Sequence, residues 1–215
     1  MVTVGVATQA SLRCLRVLDS TSSGSYSDIL TAMAFIRDLE SSRRATYRKQ
    51  YGNASMSTFP AALMSMSFGG AYSTSLNSMT VSLVALGTHA SVAMGNSGVA
   101  ACGTGSNGFS PAAVADSSPV IAVGSSGATD VFSTFSNWGD CLTLTAPGEN
   151  VLGAWPTASG ANNTYALLSG TSMAAPLVSG AVASFIAQWP KSISRDVTTR
   201  QSWLTARLIS HAHVQ

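Results

Sequence analysis

The segment SGTSMAAP, residues 169–176, contains a serine suited to nucleophilic attack. Ser172 follows Gly170 and Thr171, and an apolar run typical of a buried helix begins directly after it. A serine hydroxyl is a weak nucleophile at neutral pH. It needs a base, usually a histidine, and the base needs an orienting group. A serine in this position is by itself more often a helix cap than a nucleophile. Its chemistry therefore depends on which other residues the fold brings to it.

The composition favours one globular domain with a sizeable core. Of 215 residues, 46% are hydrophobic and only 9% are charged, far below the usual quarter or so. A net charge of +2 without a long basic stripe gives no support to a nucleic-acid partner. We also expect no membrane partner, since no continuous apolar span occurs, and the first residues lack the pattern of a signal peptide.

Short apolar segments alternate with helical patterns along the chain, which indicates an α/β fold with a mostly parallel sheet covered on both faces. Functional residues should gather at the carboxyl ends of such strands, where Ser67–Gly70 and Gly95–Gly98 lie. The predicted strands are residues 12–18, 61–67, 89–98, 118–127 and 141–148. The predicted helices are residues 28–39 with Asp28 as N-cap, 74–86, the run after Ser172, and 194–209.

Residues 37–59 are polar and carry five of the eleven basic residues. We interpret them as a surface insertion within a single domain spanning residues 1–215.

The motifs, taken in order, resemble the subtilisin-like serine proteases (subtilases, peptidase family S8) over roughly residues 3–190. The similarity is greatest to the proteinase K and aqualysin branch. GTSMAAP at 170–176 resembles the nucleophile motif, SMSFGG at 65–70 the substrate-binding wall, and SVAMGNSG at 91–98 the segment with the oxyanion asparagine. Segments 6–29, 109–140 and 145–155 also follow in family order. The resemblance implies a three-layer α/β/α fold, incomplete at its N-terminus, and a polypeptide substrate.

The resemblance assigns roles to particular residues. Ser172 would be the nucleophile. Asn96 would donate its side-chain amide to the tetrahedral oxyanion, helped by the Ser172 backbone N–H. The remaining assignments concern substrate binding. The S1 pocket receives the substrate side chain before the scissile bond. Its first wall would be Ser67, Phe68 and Gly69, and its second wall would be Ala93, Met94 and Gly95. The substrate backbone would pair, as an added strand, with Ser23, Gly24 and Ser25. Phe68 stands where leucine is usual in the family, so the preferred substrate residue before the scissile bond (P1) stays open. We expect an apolar residue there.

In the family, the aspartate that orients the base and the histidine that acts as the base both precede the segment that this chain matches from Gly5 onward. Asp19 lies in a sequence that looks like the aspartate motif, but its neighbours match a later strand, so we interpret it as a turn residue. His89 follows Gly87-Thr88 as in the histidine motif, but Leu86 occupies the position of the base, so we interpret His89 as structural. His211 and His213 have no family context.

We therefore expect a partial catalytic domain. The resemblance would place an aspartate-bearing strand between residues 12–18 and 61–67, and without it both strands would have unpaired edges. In subtilisin, loss of the histidine alone costs about 10⁶-fold in turnover. We expect negligible protease activity from these 215 residues alone, and we expect the partner to be a propeptide or a segment that supplies Asp and His.

Three cysteines are present. The resemblance implies a disulfide between Cys102 and Cys141, and with it an extracellular or secretory location. Cys14, in a predicted strand, should be a buried free thiol. Structural calcium is common in the family, but Thr143 occupies the place of an aspartate ligand, so we do not expect the proteinase K-type site and name no metal ligand or other cofactor.

Two alternatives stay open from sequence. One is a non-catalytic pseudoprotease that binds peptides. The other is an α/β-hydrolase esterase, because Gly170-x-Ser172-x-Ala174 nearly matches that family's nucleophile motif and is followed by Asp196 and His211.

Overall fold

The computed structural model describes residues 5–53, 59–155, 164–188 and 203–208. In chain order the elements are α1 (Tyr26–Tyr51), β1 (Leu63–Met66), β2 (Gly70–Ala71), α2 (Thr74–Ala85), β3 (His89–Ala93), β4 (Phe109–Ser110), β5 (Ile121–Ser126), β6 (Leu144–Pro147), β7 (Val151–Ala154), β8 (Tyr165–Leu168) and α3 (Thr171–Ala187). Residues 105–107 and 112–114 form short 3₁₀ turns, and residues 203–208 are helical.

The central sheet has four parallel strands in the order β1-β3-β5-β6. Two antiparallel pairs, β2-β4 and β7-β8, lie apart from it. All five residues of β3 and all six of β5 are buried, as expected of central strands covered on both faces.

Alternate residues of the central strands enter two separate apolar clusters, which defines three layers. Ala90, Val92 and Ala122 face the cluster that contains residues of α1 and α2. Ala93, Ile121 and Val123 face the cluster formed with α3 and Leu204. The predicted α/β architecture, with a mostly parallel sheet between helical layers, is therefore confirmed. No helix in the described part of the chain is long and apolar enough to cross a membrane.

The predicted strand over residues 12–18 is wrong. Residues 10–17 have no regular structure, and no ladder in the described part of the chain includes them. An apolar segment forms a strand only where a neighbour satisfies its backbone groups. Among the residues that the structure describes, β1 pairs with β3 and with no other strand. Cys14, expected to be buried, is consequently an exposed free thiol.

The first helix differs from its prediction at both ends. Its N-cap is Ser25 rather than Asp28, since the Ser25 hydroxyl accepts a bond from the Asp28 amide. Asp28 is the third helical residue, and its carboxylate accepts from the Ser25 hydroxyl at 2.8 Å, so both the amide and the side chain of Asp28 bond to the capping hydroxyl. The helix continues through about two thirds of the polar segment to Tyr51 and ends at Gly52, whose φ of 80° suits a helix C-terminus.

The other predicted strands and helices occur close to their expected positions. The segment predicted as a helix over residues 194–209 is described only at 203–208, where it is helical. The expected disulfide joins Cys102 to Cys141.

Candidate active site

The nucleophile candidate Ser172 is the second residue of α3, and this helix starts without a side-chain cap of its own. Gly170 precedes it with a φ of 153°, and its N–H donates to the Gly148 carbonyl at 2.7 Å, which ties the helix start to the end of β6. Because the first N–H groups of a helix have no partner within it, they are open to acceptors from elsewhere.

Asn96 supplies the missing cap. Its Oδ1 accepts from the Thr171 N–H at 2.8 Å and from the Thr171 hydroxyl at 2.9 Å. The same hydroxyl accepts from the Gly95 N–H at 3.1 Å. Thr171 is fully buried, so these bonds hold the loop after β3 firmly against the start of α3.

Two donors are left over at this junction. Both bonds of the Asn96 side chain occupy Oδ1, and its Nδ2 makes no hydrogen bond within the described residues. The backbone N–H of Ser172 is likewise unbonded there. A Cβ built on Gly170 would lie 3.1 Å from Asn96 Nδ2, so the glycine gives that amide room. Two unpaired N–H donors beside a serine hydroxyl can stabilise a developing oxyanion.

Ser172 and Ser67 are joined by a reciprocal pair of hydrogen bonds. The Ser67 hydroxyl donates to the Ser172 carbonyl at 2.8 Å, and the Ser172 hydroxyl donates to the Ser67 carbonyl at 3.3 Å. The first bond has a clear cause in the sequence. The helical donor to the Ser172 carbonyl would be the N–H of residue 176, and Pro176 has none.

The two predicted pocket walls lie at the carboxyl ends of the adjacent parallel strands β1 and β3. In the second wall the side chains of Ala93 and Met94 are buried in the core, so this wall can present only backbone to a ligand. In the first wall the Phe68 side chain packs against a core cluster, and Gly69 is exposed.

Two residues that the sequence reasoning missed shape these walls. Asn137 is buried, and it bonds to Met94, Ser97 and Val99 through its side chain. Phe109 lies close to both Gly69 and Gly95. The signal for both lies in the segment FSPA…SNWGD, which carries part of the family resemblance but suggests no role for either residue by itself.

The predicted strand-addition segment is exposed and precedes α1. The Ser23 carbonyl accepts from the Asp19 N–H at 2.8 Å, and Ser25 caps α1. Gly24 makes no backbone hydrogen bond within the described residues. All three residues line an open cavity of about 570 Å³. The Tyr26 hydroxyl donates to the Ala71 carbonyl, which ties this segment to the strand after the first wall.

The two look-alikes of the base and orienter belong to other parts of the fold. Asp19 is an exposed turn residue whose Oδ1 accepts from the Thr21 hydroxyl and from the Thr21 and Ser23 amides. These bonds lower the pKa of its carboxyl, with the Thr21 hydroxyl contributing most. His89 is buried at the start of β3, the opposite end of the strand from Asn96. Asp196, His211 and His213 lie outside the described residues.

Comparison with known proteins matches the chain to one family. The Subtilase family (Peptidase S8) matches residues 2–213, and the chain belongs to this family.

Individual relatives agree with this assignment. The chain is 34% identical over 197 residues, 92% of its length, to an extracellular serine proteinase of Thermus sp. strain Rt41A, of which it covers 41%. It is 35% identical over 212 residues, 97% of its length, to the subtilisin-like serine protease Pen ch 18 of Penicillium rubens, of which it covers 39%. The chain thus spans about two fifths of the length of these relatives.

A solved structure supports the fold. The structure of a cold-adapted subtilisin-like serine proteinase matches with a TM-score of 0.64 and 30% identity, over 92% of this chain and 58% of that one.

Proposed function

We propose that this chain forms the nucleophile-bearing part of an extracellular serine endopeptidase, with Ser172 as nucleophile and an oxyanion hole made by Asn96 Nδ2 and the Ser172 N–H. The arrangement of Thr171 carries this proposal. Its N–H and hydroxyl engage Asn96 Oδ1, so that Nδ2 stays unbonded beside the serine. The named relatives are serine proteases, and one is described as extracellular. The Cys102–Cys141 disulfide supports the same location.

Peptide hydrolysis at this site would proceed by attack of Ser172 Oγ on the scissile carbonyl carbon. The C–N bond then breaks, the amine leaves with a proton, and water releases the acyl group from the serine. The base that takes the Oγ proton has to come from a residue other than those described near Ser172. In the described part of the chain that hydroxyl donates to the Ser67 carbonyl, and the one histidine there, His89, begins β3 at the end of the strand away from Asn96. We therefore propose that residues 1–215 alone hydrolyse peptides negligibly, and that their partner is a segment bearing the aspartate and histidine, or a propeptide.

The Thr143 hydroxyl supports our proposal that the proteinase K-type calcium site is not built here. It accepts from the Ala122 N–H at 3.0 Å, and a neutral hydroxyl engaged in this way is a poorer calcium ligand than a carboxylate. Among the described residues no group of three His, Cys, Asp or Glu side chains is placed to hold a metal.

The test compares two polypeptides. Residues 1–215 and their Ser172→Ala variant should hydrolyse a peptide anilide at the same rate, and a fluorophosphonate should label neither. A hydrolysis rate of residues 1–215 well above that of the alanine variant would contradict the proposal that these residues lack a base for Ser172. In a polypeptide that also carries aspartate and histidine motifs upstream of Met1, Ser172→Ala should abolish turnover and Asn96→Ala should lower kcat about 10²- to 10³-fold.

A pseudoprotease that binds peptides without cleaving them is the second candidate, favoured by the Ser172 hydroxyl pointing at Ser67 rather than at a base. The two candidates differ in the coding sequence upstream of Met1. Aspartate and histidine motifs there favour the protease. An upstream sequence without them, together with measurable peptide binding, favours the pseudoprotease.

A further inference from the structure

A second cavity, separate from the candidate active site, lies beside α2. It has a volume of about 480 Å³ and is bounded by α2, by Gly103 and Thr104, and by the turn of residues 113–117. Among the described residues, those that line it include neither pocket wall and none of Ser23, Gly24 and Ser25. A cavity of this volume can hold a small ligand or one long side chain of a partner.

The buried amide of Asn77 lines this cavity and lacks a partner. Asn77 is only 6% exposed, and its Oδ1 is buried without a hydrogen bond in the described part of the chain. Its backbone N–H donates to the Ser73 carbonyl at 3.0 Å, so the unsatisfied group is the side chain alone. A buried acceptor without a donor costs free energy, and most such atoms in proteins have a partner. The last side-chain torsion of asparagine is soft, so Oδ1 can turn to the cavity and accept from a ligand there.

Asp116 gives the cavity a negative charge. It is the one charged side chain among the described residues that line the cavity. Asp116 is exposed, and no ion pair within the described ranges includes it. The hydroxyl oxygens of Ser78 and Thr104, which also line the cavity, can accept hydrogen bonds. The cavity therefore favours a ligand that is positively charged and rich in donors, and it repels an anion.

The apolar part of the lining suits the stem of a long cationic side chain. Val81, Ala113 and Val114 supply this part, and an arginine packs its methylene groups on such surface while its head group stays with polar partners. The guanidinium group is planar, carries N–H donors on every nitrogen and has no acceptor, so it can bond to a carboxylate and to an amide oxygen at once. A metal ion fits less well, because no three His, Cys, Asp or Glu side chains of the described residues lie together to hold one.

We propose that this cavity binds the guanidinium group of an arginine side chain in a partner polypeptide. Asp116 is its counter-charge, and Asn77 Oδ1 is the buried acceptor that the ligand satisfies. The site is independent of the proposed protease function, because it shares none of the residues placed in the active site.

Titration of ¹⁵N-labelled residues 1–215 with small probes tests the site. The probes are acetylated and amidated arginine, the same derivative of citrulline, and the capped tetrapeptide Ala-Ala-Arg-Ala. Citrulline keeps the shape of the arginine head group without its charge. We expect the arginine probe to shift the Asn77 side-chain signals and the Thr104 amide signal, and to bind at least about fivefold more tightly than the citrulline probe. The tetrapeptide should bind at least as tightly as the single arginine.

Two variants locate the contacts. Asp116→Asn removes the charge and keeps the shape, and it should weaken arginine binding at least about threefold. Asn77→Leu removes the amide and keeps the size, and it should weaken binding about fivefold. Asn77→Leu should not lower stability to urea, because the side chain has no hydrogen bond to lose in the described structure. Asp130→Asn removes an equal charge from an exposed residue outside the cavity, and this control should bind arginine as the unmodified chain does.

Several outcomes would overturn the site. One is equal affinity for the arginine and citrulline probes, and another is arginine-dependent shifts at Asn96 and Gly24 in place of Asn77 and Thr104. Unchanged affinity in Asp116→Asn or Asn77→Leu would also overturn it, and a clear loss of stability in Asn77→Leu would assign that amide a structural role instead. Tighter binding of the single arginine than of the tetrapeptide would overturn the polypeptide partner in favour of a free guanidinium compound.

Discussion

Asn137 bonds to the loop of residues 94–99, which carries Asn96, through every polar atom of its side chain. Nδ2 donates to the Met94 carbonyl at 3.0 Å, and Oδ1 accepts from the amides of Ser97 at 2.9 Å and Val99 at 3.3 Å. Its own N–H donates to the Gly95 carbonyl. The Asn137 side chain thus fixes the conformation of the loop that carries Asn96, the candidate oxyanion donor.

Replacing Asn137 with alanine should be strongly destabilising. The change removes three hydrogen bonds and leaves their partners unpaired, so we expect the free energy of unfolding to fall by about 2–4 kcal/mol. Urea denaturation measures this, and hydrogen exchange of the Ser97 and Val99 amides should accelerate. Asn107→Ala, in an exposed turn, is the control. A loss as small as the control's would show that the loop does not depend on Asn137.

Asp19 gives the turn before Ser23 a dependence on pH. Because its pKa is lowered below the usual 3.8 by bonds to the ionised carboxylate, the stabilisation is present above that usual value and is lost as the pH falls through the lowered one. An NMR titration of the Asp19 carboxyl should give a pKa below 3.8, and Thr21→Val, which removes the largest contributor, should raise it. An unchanged pKa in that variant would contradict the assignment of the cause.

At the scale of elements, the start of α3 depends on a bond from another strand end. Pro176 deprives the Ser172 carbonyl of its helical donor, and the Ser67 hydroxyl replaces it. A proline here thus couples the helix to the segment after β1 as well as interrupting the helical ladder.

A double-mutant cycle measures this coupling. Ser67→Ala should lower stability by about 1 kcal/mol, because the carbonyl is left without a donor. In a Pro176→Ala background the restored N–H supplies the bond, and the same serine change should cost at least about 0.5 kcal/mol less. Ser65→Ala, exposed in β1, serves as the control in both backgrounds. Strict additivity of the two changes would mean that Ser67 and Pro176 act independently.

Some of these elements can be predicted from their own residues. The buried strands β3 and β5 and helix α2 follow directly from apolar runs and helical spacing, because their burial depends on residues within each segment. Residues 12–18 have an equally apolar pattern, but a strand also requires a neighbour, and that requirement is not visible in the segment itself. The start of α1 was misplaced because Ser25 and Asp28 are both good caps, and only backbone geometry distinguishes them.

The candidate site shows the same limit. Ser172 and Asn96 could be named as candidates because motifs in family order carry them. The contributions of Thr171, Asn137 and Phe109 arise from contacts between segments dozens of residues apart. Packing of this kind depends on the whole arrangement of the sheet, so no local pattern in the sequence predicts it.

At the scale of the whole molecule, the disulfide constrains a large part of the chain. Cys102 and Cys141 are separated by 39 positions, an interval that contains β4, β5 and the Asn137 turn. Replacing both with serine should lower the free energy of unfolding by about 4 kcal/mol, the value expected from the entropy of a loop of this length. Urea denaturation measures the change. Cys14→Ser should alter stability by less than about 0.5 kcal/mol, because that thiol is exposed and unbonded. An equal loss in both variants would contradict this account.

The exposure of Cys14 has a practical consequence. It is the one cysteine of the three that is not cross-linked, so a maleimide reagent will attach a fluorophore or spin label to this chain at a single place. That place lies nine residues before Ser23, where the segment proposed to bind substrate begins. Distances from a label there to a second probe on α3 would show whether the leading segment moves when a peptide binds.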